Sequence, residues 1–434
     1  MTAQVNTDTL IDNMRSARQR TLELIDGLTQ EQLIGPKLAI VNPMLWEIGH
    51  VAWFYEEFIL RREYGASPLL DRGDALYDSI SIAHDTRWDL PLYTLDEILD
   101  YMARVLDTTA GRLKPGLATE RDSFLYQFTV FHEDMHDEAF TWARQTLAYP
   151  TPTIEPDGPR ANHASVTGGL DGDVNIPGGT FALGSPPEAP FLFDNEKWSH
   201  PVTVAPFRMA RAPVTNAAFA AFVEDGGYAN RALWSDDGWA WREKEQARHP
   251  VYWREDKSGG WEMRRFEAWH PLAPDQPVIH VNWYEADAWC RWAGRRLPSE
   301  AEWEFAATMR PDEAGGLVKA RYPWGDATPD ATKANLDGFA LGCVDVADHA
   351  AGDNAWGCRQ MLGNIWEWTA DRFGPFPGFA PDDYKEYSEP LFGDTCVLRG
   401  GAWTTRSRMA TSTYRNYFGP ERRDVFAGFR TCVL

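Results

Sequence analysis

Up to about residue 147 apolar residues recur at helical spacing, and beyond that point the pattern stops. Residues 8–28 carry one such run, with Asp8 as a cap, and a second begins after Asn42, where Pro43 suits a first-turn position. A third starts near Thr94, with Asp96 and Glu97 complementing the dipole of its first turn, and a fourth starts near Glu120. Four long helices joined by one extended connection predict a four-helix bundle over 1–147. Composition then shifts to Pro, Gly, Thr and Asp over 148–173, which reads as a linker or strap. From 174 to 434 short apolar runs alternate with Gly, Pro and Asn turns, and only 216–224 and 285–307 look helical. The expected fold class is therefore α plus α+β, with short strands in the second domain.

Of the 434 residues 44% are hydrophobic and 20 are Trp, which describes a packed globular chain. The formal charge of −22 repels phosphate backbones and anionic lipid surfaces, so nucleic acid and membrane are excluded as partners. No apolar run approaches the roughly 18 residues that would span a bilayer. The first ten residues, MTAQVNTDTL, have neither the basic nor the apolar region of a secretory signal, so a cytoplasmic location is expected. Cys290, Cys343, Cys358, Cys396 and Cys432 show no CxxC spacing and read as reduced structural thiols, not a zinc knuckle.

The chemistry concentrates in FHEDMHDEAF at 131–140. His132 and His136 lie one turn apart on one helical face, within reach of a single ion. Imidazole suits iron, zinc and copper alike, and a surface pair on a charged helix is the plain alternative. His50, in the second helical run, supplies a third imidazole if the two helices lie side by side. His84, His163, His200, His249, His270, His280 and His349 sit in loop-like contexts and read as structural or surface residues.

Residues 1 to about 150 resemble the DinB-like bundle, whose metal histidines match His50, His132 and His136. The pattern H-x3-H-x-E, here ending at Glu138, is similar to that of ergothioneine-type sulfoxide synthases. Residues 174–434 resemble the formylglycine-generating, C-type-lectin-like fold through IPGGTFALGS (176–185), PVTNAAFAAFV (213–223), HVNWYEADAWCRWAGRRLPSEAEWEFAA (280–307), YPWGD (322–326), GNIWEWTAD (363–371), LRGGAW (398–403) and FAGFR (426–430). Those enzymes carry two catalytic cysteines shortly after the Gly-Gly pair. Here none follows Gly400 and Gly401, so sulfatase activation is excluded.

The combination resembles non-haem iron enzymes that join sulfur or selenium to C2 of the hercynine imidazole using O2, among them sulfoxide synthases and selenoneine synthases. The resemblance implies Fe(II) on the three histidines, with Glu138 in a supporting role. Glu138 lies about 200° round the helix from His136 and cannot share its face. Asn416 and Tyr417 match the hercynine-contacting pair, and Met135 stands where several members carry a contacting Gln. Phe418 replaces the acidic residue of members that use γ-glutamylcysteine, which points to a neutral selenosugar or thiosugar donor, with cysteine or γ-glutamylcysteine as the alternative. Arg87 and Asp85, in 78–92, are expected in the donor pocket. The region where the family's proton-donating tyrosine falls holds only Phe373, Phe376 and Phe379, so that role passes to Tyr93, Tyr414 or Tyr417. Asn335 and Asp337 are expected as calcium ligands. Two further readings stand beside this one: a lectin-like binding module with an accidental histidine trio, and a DinB-type thiol transferase.

Overall fold

The computed structural model describes residues 3–155 and 164–434. His163 and the middle of the expected linker lie outside the described residues. The chain divides into two compact units, one of residues 1–157 with 187–192 and one of 158–186 with 193–434. The small segment 187–192 falls within the expected second domain in sequence, yet it belongs to the first unit because Phe191 packs on Phe124 (5.5 Å between centroids) and edge-on to Phe131 (4.8 Å).

In the first unit α1 (Thr7–Ile25), α3 (Met44–Tyr55), α5 (Leu95–Ala110) and α6 (Glu120–Thr146) are the long elements, and α2 (Gln30–Ile34) and α4 (Gly73–Tyr77) are single short turns. α1 packs along α6, and α3 along α5 and α6. Asn6, not Asp8, caps α1, since its side chain accepts the Asp8 N–H. Thr94 and Glu97 close a reciprocal capping box at the start of α5. Pro43 sits at the cap of α3, one position before the helix. The second helix does not stay α-helical to its end, because Glu56–Glu63 forms wider π turns. There Glu56 turns inward to accept from the Tyr101 hydroxyl (2.5 Å) and the Leu69 N–H (2.9 Å), while Phe58 stays against Phe54.

The second unit is built on two four-stranded sheets and smaller ribbons. Its strands are β1 (Asp173–Ile176), β2 (Gly179–Leu183), β3 (His200–Val204), β4 (Phe207–Ala210), β5 (Trp253–Glu255), β6 (Trp261–Arg265), β7 (Ala268–Pro271) and β8 (Arg295–Arg296). β9 (Met309–Pro311), β10 (Leu317–Lys319), β11 (Trp366–Arg372), β12 (Cys396–Arg399), β13 (Asn416–Phe418), β14 (Ala427–Gly428) and β15 (Cys432–Val433) complete the set. The large sheets run β1-β4-β15-β8 and β13-β12-β11-β14. The helical stretch expected over 285–307 breaks into α9 (Trp283–Ala293) and α10 (Glu300–Thr308), because Gly294 takes a left-handed cap and Ser299 opens a new capping box. The helix expected over 216–224 forms as α7 (Asn216–Glu224), whereas α8 (Asp236–Glu245), capped by Ser235, was not legible in the periodicity, since it buries little besides Gly238 and Trp241.

Buried ion pairs lock this unit. Arg399 pairs with Glu300 and Glu304, Arg415 forks onto Glu300, and Arg430 onto Glu367, which also accepts from Trp303. Gly400 has φ of +99°, and a Cβ there would meet the Met361 carbonyl at 2.8 Å, so the Gly-Gly turn is kept for steric reasons. All five cysteines are buried free thiols.

Candidate metal centre

Within the first unit, His50 on α3 and His132 and His136 on α6 converge. Their ligand atoms lie within 4.8 Å of one another, so small rotations bring all three onto one ion. Among the described residues this is the one group of three or more His, Cys, Asp or Glu spaced to share a metal. Burial pushes His50 and His132 well below the ordinary histidine range, with His136 as the next cause in both. They are held as neutral imidazoles, the form that ligates.

Each ring is aimed by the side that faces away from the centre. His50 donates from Nδ1 to the Tyr77 carbonyl (2.8 Å), and His136 donates from Nδ1 to the Glu47 carboxylate (2.6 Å). Those bonds fix the tautomer that leaves Nε2 for a ligand. His132 lies flat on Phe54, with 3.6 Å between centroids and 5° between planes. Rotation of α6 about its axis is set one face over. Glu133 accepts from Arg18 (2.8 Å), and the Thr21 hydroxyl lies between Glu133 (3.0 Å) and Asp137 (2.8 Å). One hydroxyl proton cannot serve two carboxylates, and burial beside Glu133 pushes Asp137 well above the usual carboxylate range. These residues follow His132 and His136 by one position each, so locking them to α1 aims the histidines.

Sequence reasoning missed Glu47, although a carboxylate alone in the apolar run MLWEIGHVAWF, three residues before a histidine, was a usable signal. It also missed α4, whose last carbonyls are the acceptors for His50 and for Trp46 (2.6 Å). Gly49 permits this, because a Cβ there would meet the Tyr77 ring at 2.3 Å.

Other expected site residues fall as follows. Glu138 is buried on α6 and lies outside the ion-sharing group, and Met135 is half-buried on the same helix. Arg87 is buried, donating to Asn42, Ser79 and Ile82 within the bundle unit, whereas Asp85 is exposed. Tyr93 donates to the Asp71 carbonyl (2.6 Å). In the second unit Asn416, Tyr417 and Phe418 form the edge strand β13, and strand alternation sends Asn416 and Phe418 to one face and Tyr417 to the other. Tyr417 stacks on Phe373 (3.9 Å), donates to the Tyr387 carbonyl, and is pushed up by burial, Tyr414 and Asp194. Tyr414 is buried between Phe193 and Trp366. Asn335 donates to Gly342 and Asn364, and Asp337 accepts the Ser407 N–H, so both tie loops together.

Residues 160–433 match the sulfatase-modifying factor enzyme 1-like domain, and residues 13–140 match the DinB superfamily. A hercynine oxygenase of Mycolicibacterium thermoresistibile is 38% identical over 95% of this chain and 92% of its own length. Its counterpart in Mycolicibacterium smegmatis is 36% identical over 98% of both chains. A formylglycine-generating enzyme of Streptomyces coelicolor is 32% identical but spans 59% of this chain. Both halves and their order are thus matched along the whole length, and the chain belongs to the hercynine oxygenase family, in which a DinB bundle is fused to a sulfatase-modifying-type domain.

Proposed function

We propose that the chain is a non-haem Fe(II), O2-dependent enzyme that bonds sulfur or selenium to the imidazole C2 of hercynine. The observation that carries this reading is the convergent trio of histidines, each directed by a packing or hydrogen-bonding partner behind it. Three imidazoles leave positions on the ion for oxygen and for a chalcogen donor, and bound Fe(II) would supply oxygen reduction and acidify the donor's thiol or selenol. The chain's own residues orient the partners and keep water from the buried rings of His50 and His132, whose burial holds them unprotonated. The proton donor is proposed among Tyr93, Tyr414 and Tyr417, and hercynine is proposed to contact Met135, Asn416 and Tyr417.

For the donor we propose a selenosugar or thiosugar, which makes the reaction a step of selenoneine-type synthesis. Phe418 supports this, since it lacks the negative charge that members using γ-glutamylcysteine carry at this position. The burial of Arg87 agrees, because it withdraws a cation from any donor carboxylate. The likeness to hercynine oxygenases favours the second reading, a sulfoxide synthase of the ergothioneine type, for which the donor is proposed as cysteine or γ-glutamylcysteine.

The test reconstitutes the protein anaerobically with Fe(II), adds hercynine and O2, and offers selenosugar, thiosugar, cysteine and γ-glutamylcysteine in competition. Dominance of a selenium-bearing adduct supports the first reading, and a cysteine-derived sulfoxide supports the second. Bound iron with no adduct from any donor sinks both.

A further inference from the structure

We infer that Arg87 is a positioning residue for His50, acting through Trp46, and not a residue of the donor pocket. Its guanidinium lies 3.9 Å over the Trp46 ring, and that ring stacks on His50 with 5.0 Å between centroids and 6° between planes. Arginine, indole and imidazole therefore form one column ending at a metal-ligating ring. Trp46 and His50 are four residues apart on α3 and share a face, which makes the column a consequence of helix spacing.

The column is clamped from one side by consecutive carbonyls at the end of α4. Leu76 accepts from Trp46 Nε1 (2.6 Å) and Tyr77 accepts from His50 Nδ1 (2.8 Å). The final carbonyls of a helix have no partner within it, so they are free to take this role. Arg87 ties the clamp shut. Nη2 donates to the Ser79 (3.3 Å) and Ile82 (3.4 Å) carbonyls, just past α4, while Nη1 donates to Asn42 Oδ1 (2.7 Å), just before α3. One planar fork thus holds the strap that aims His50 against the start of the helix that carries it.

The charge matters as well as the tether. A guanidinium stays protonated at any working pH, and here it is buried on the π face next to the ligand stack. Positive charge at that place makes His50 a weaker donor and opposes further positive charge on a bound ion. The reduced state of a redox-active metal is favoured, which suits a centre that must wait for oxygen as Fe(II). Glu47 does the reverse for His136, so the two ligands are unequal by construction.

This inference rests on the metal reading of the trio, and its test separates the two. Co(II) affinity, measured with the metal alone, and the Fe(III)/Fe(II) midpoint are determined for wild type, Arg87→Met and Arg87→Lys, with KM measured for a 1-thiosugar and for cysteine. Arg87→Met is expected to weaken Co(II) binding about 10–100-fold, the range for lost outer partners, and to lower the midpoint, leaving both KM values unchanged. Arg87→Lys keeps the charge without the fork, so it weakens Co(II) binding but holds the midpoint near wild type. If Met unfolds the bundle, the Lys variant still decides. Wild-type affinity and midpoint in the variants, with a tenfold higher donor KM, would overturn the inference and return Arg87 to the donor pocket. A wild-type protein that binds neither metal sinks the metal reading itself.

Discussion

In the second unit Arg415 and Arg430 lie with their carboxylate partners in closed networks, where donors meet acceptors on every side. In the first unit the histidines of the metal centre are arranged otherwise. His50 and His136 each have one nitrogen engaged behind and the other directed to a shared point. Closed networks hold a fold and leave nothing over for a ligand. Half-engaged rings that converge are incomplete until something occupies the point between them. The contrast separates structural from functional burial without reference to which residues are charged.

The largest effect should come from breaking the convergent side. Removing one ligand by His132→Ala abolishes iron retention after desalting and takes product formation below detection, while far-ultraviolet circular dichroism stays that of the folded chain. An unchanged iron content would refute the trio. Breaking the closed side gives the opposite signature. Arg430→Met leaves Glu367 buried without its fork and should cost about 3–5 kcal/mol of stability, read as a lower urea midpoint, with iron stoichiometry in the folded fraction intact. The carbonyl contacts of Arg430 at Ala210, Arg211 and Arg359 agree with a buttressing role.

A smaller change sharpens the comparison further. Glu47→Gln keeps the shape behind His136 but removes the negative charge, and should weaken metal binding about 10–100-fold without moving the melting temperature by more than a degree or two. Equal affinity in the variant would mean that Glu47 only fills space.

The difference between the units also explains what could be read beforehand. The histidine trio follows from 3.6-residue periodicity and local spacing, so sequence shows it directly, and the same holds for α1, α3, α5 and α6. The partners behind the rings are different in kind. Tyr77 and Leu76 act through backbone carbonyls, which any residue possesses, and Glu47 acts across helices. The carbonyls leave no spacing signal, and Glu47 leaves only that of a lone carboxylate in an apolar run. The burial of Arg87 on Trp46 is hidden for the same reason, since a lone arginine in a loop shows no spacing relation to the ring it covers. In the second unit the recognisable motifs were found, but their side chains were not separable by role. Alternation along β13 divides Asn416 from Tyr417, which a linear motif runs together.

The second unit also holds a buried histidine that lies outside any convergent group. His280 is held at φ +60° among Tyr252 and Phe426, and burial, reinforced by Arg264, pushes it down to about 3. The unfolded chain takes up a proton near the ordinary value of about 6.5. Stability is therefore full above that value and falls as pH drops through the window from 6.5 to 3, with a slope of about 1.4 kcal/mol per pH unit from this one group. His280→Phe should flatten that part of the urea-midpoint profile while leaving iron content untouched. A profile with the same slope in the variant would assign the acid sensitivity elsewhere.

The smallest expected effect concerns choice of donor. If Phe418 disfavours amino-acid thiols because it carries no negative charge, then Phe418→Asp restores an anion on the same face of β13 as Asn416. The competition ratio should move toward cysteine or γ-glutamylcysteine by roughly tenfold, equivalent to about 1.4 kcal/mol. Iron affinity should stay at the wild-type value, because the substitution lies in the unit whose residues hold no metal in this scheme. A shift in the ratio with constant iron would tie donor choice to the second unit and metal binding to the first. A loss of iron with no shift would show that the two functions are not divided between the units in this way.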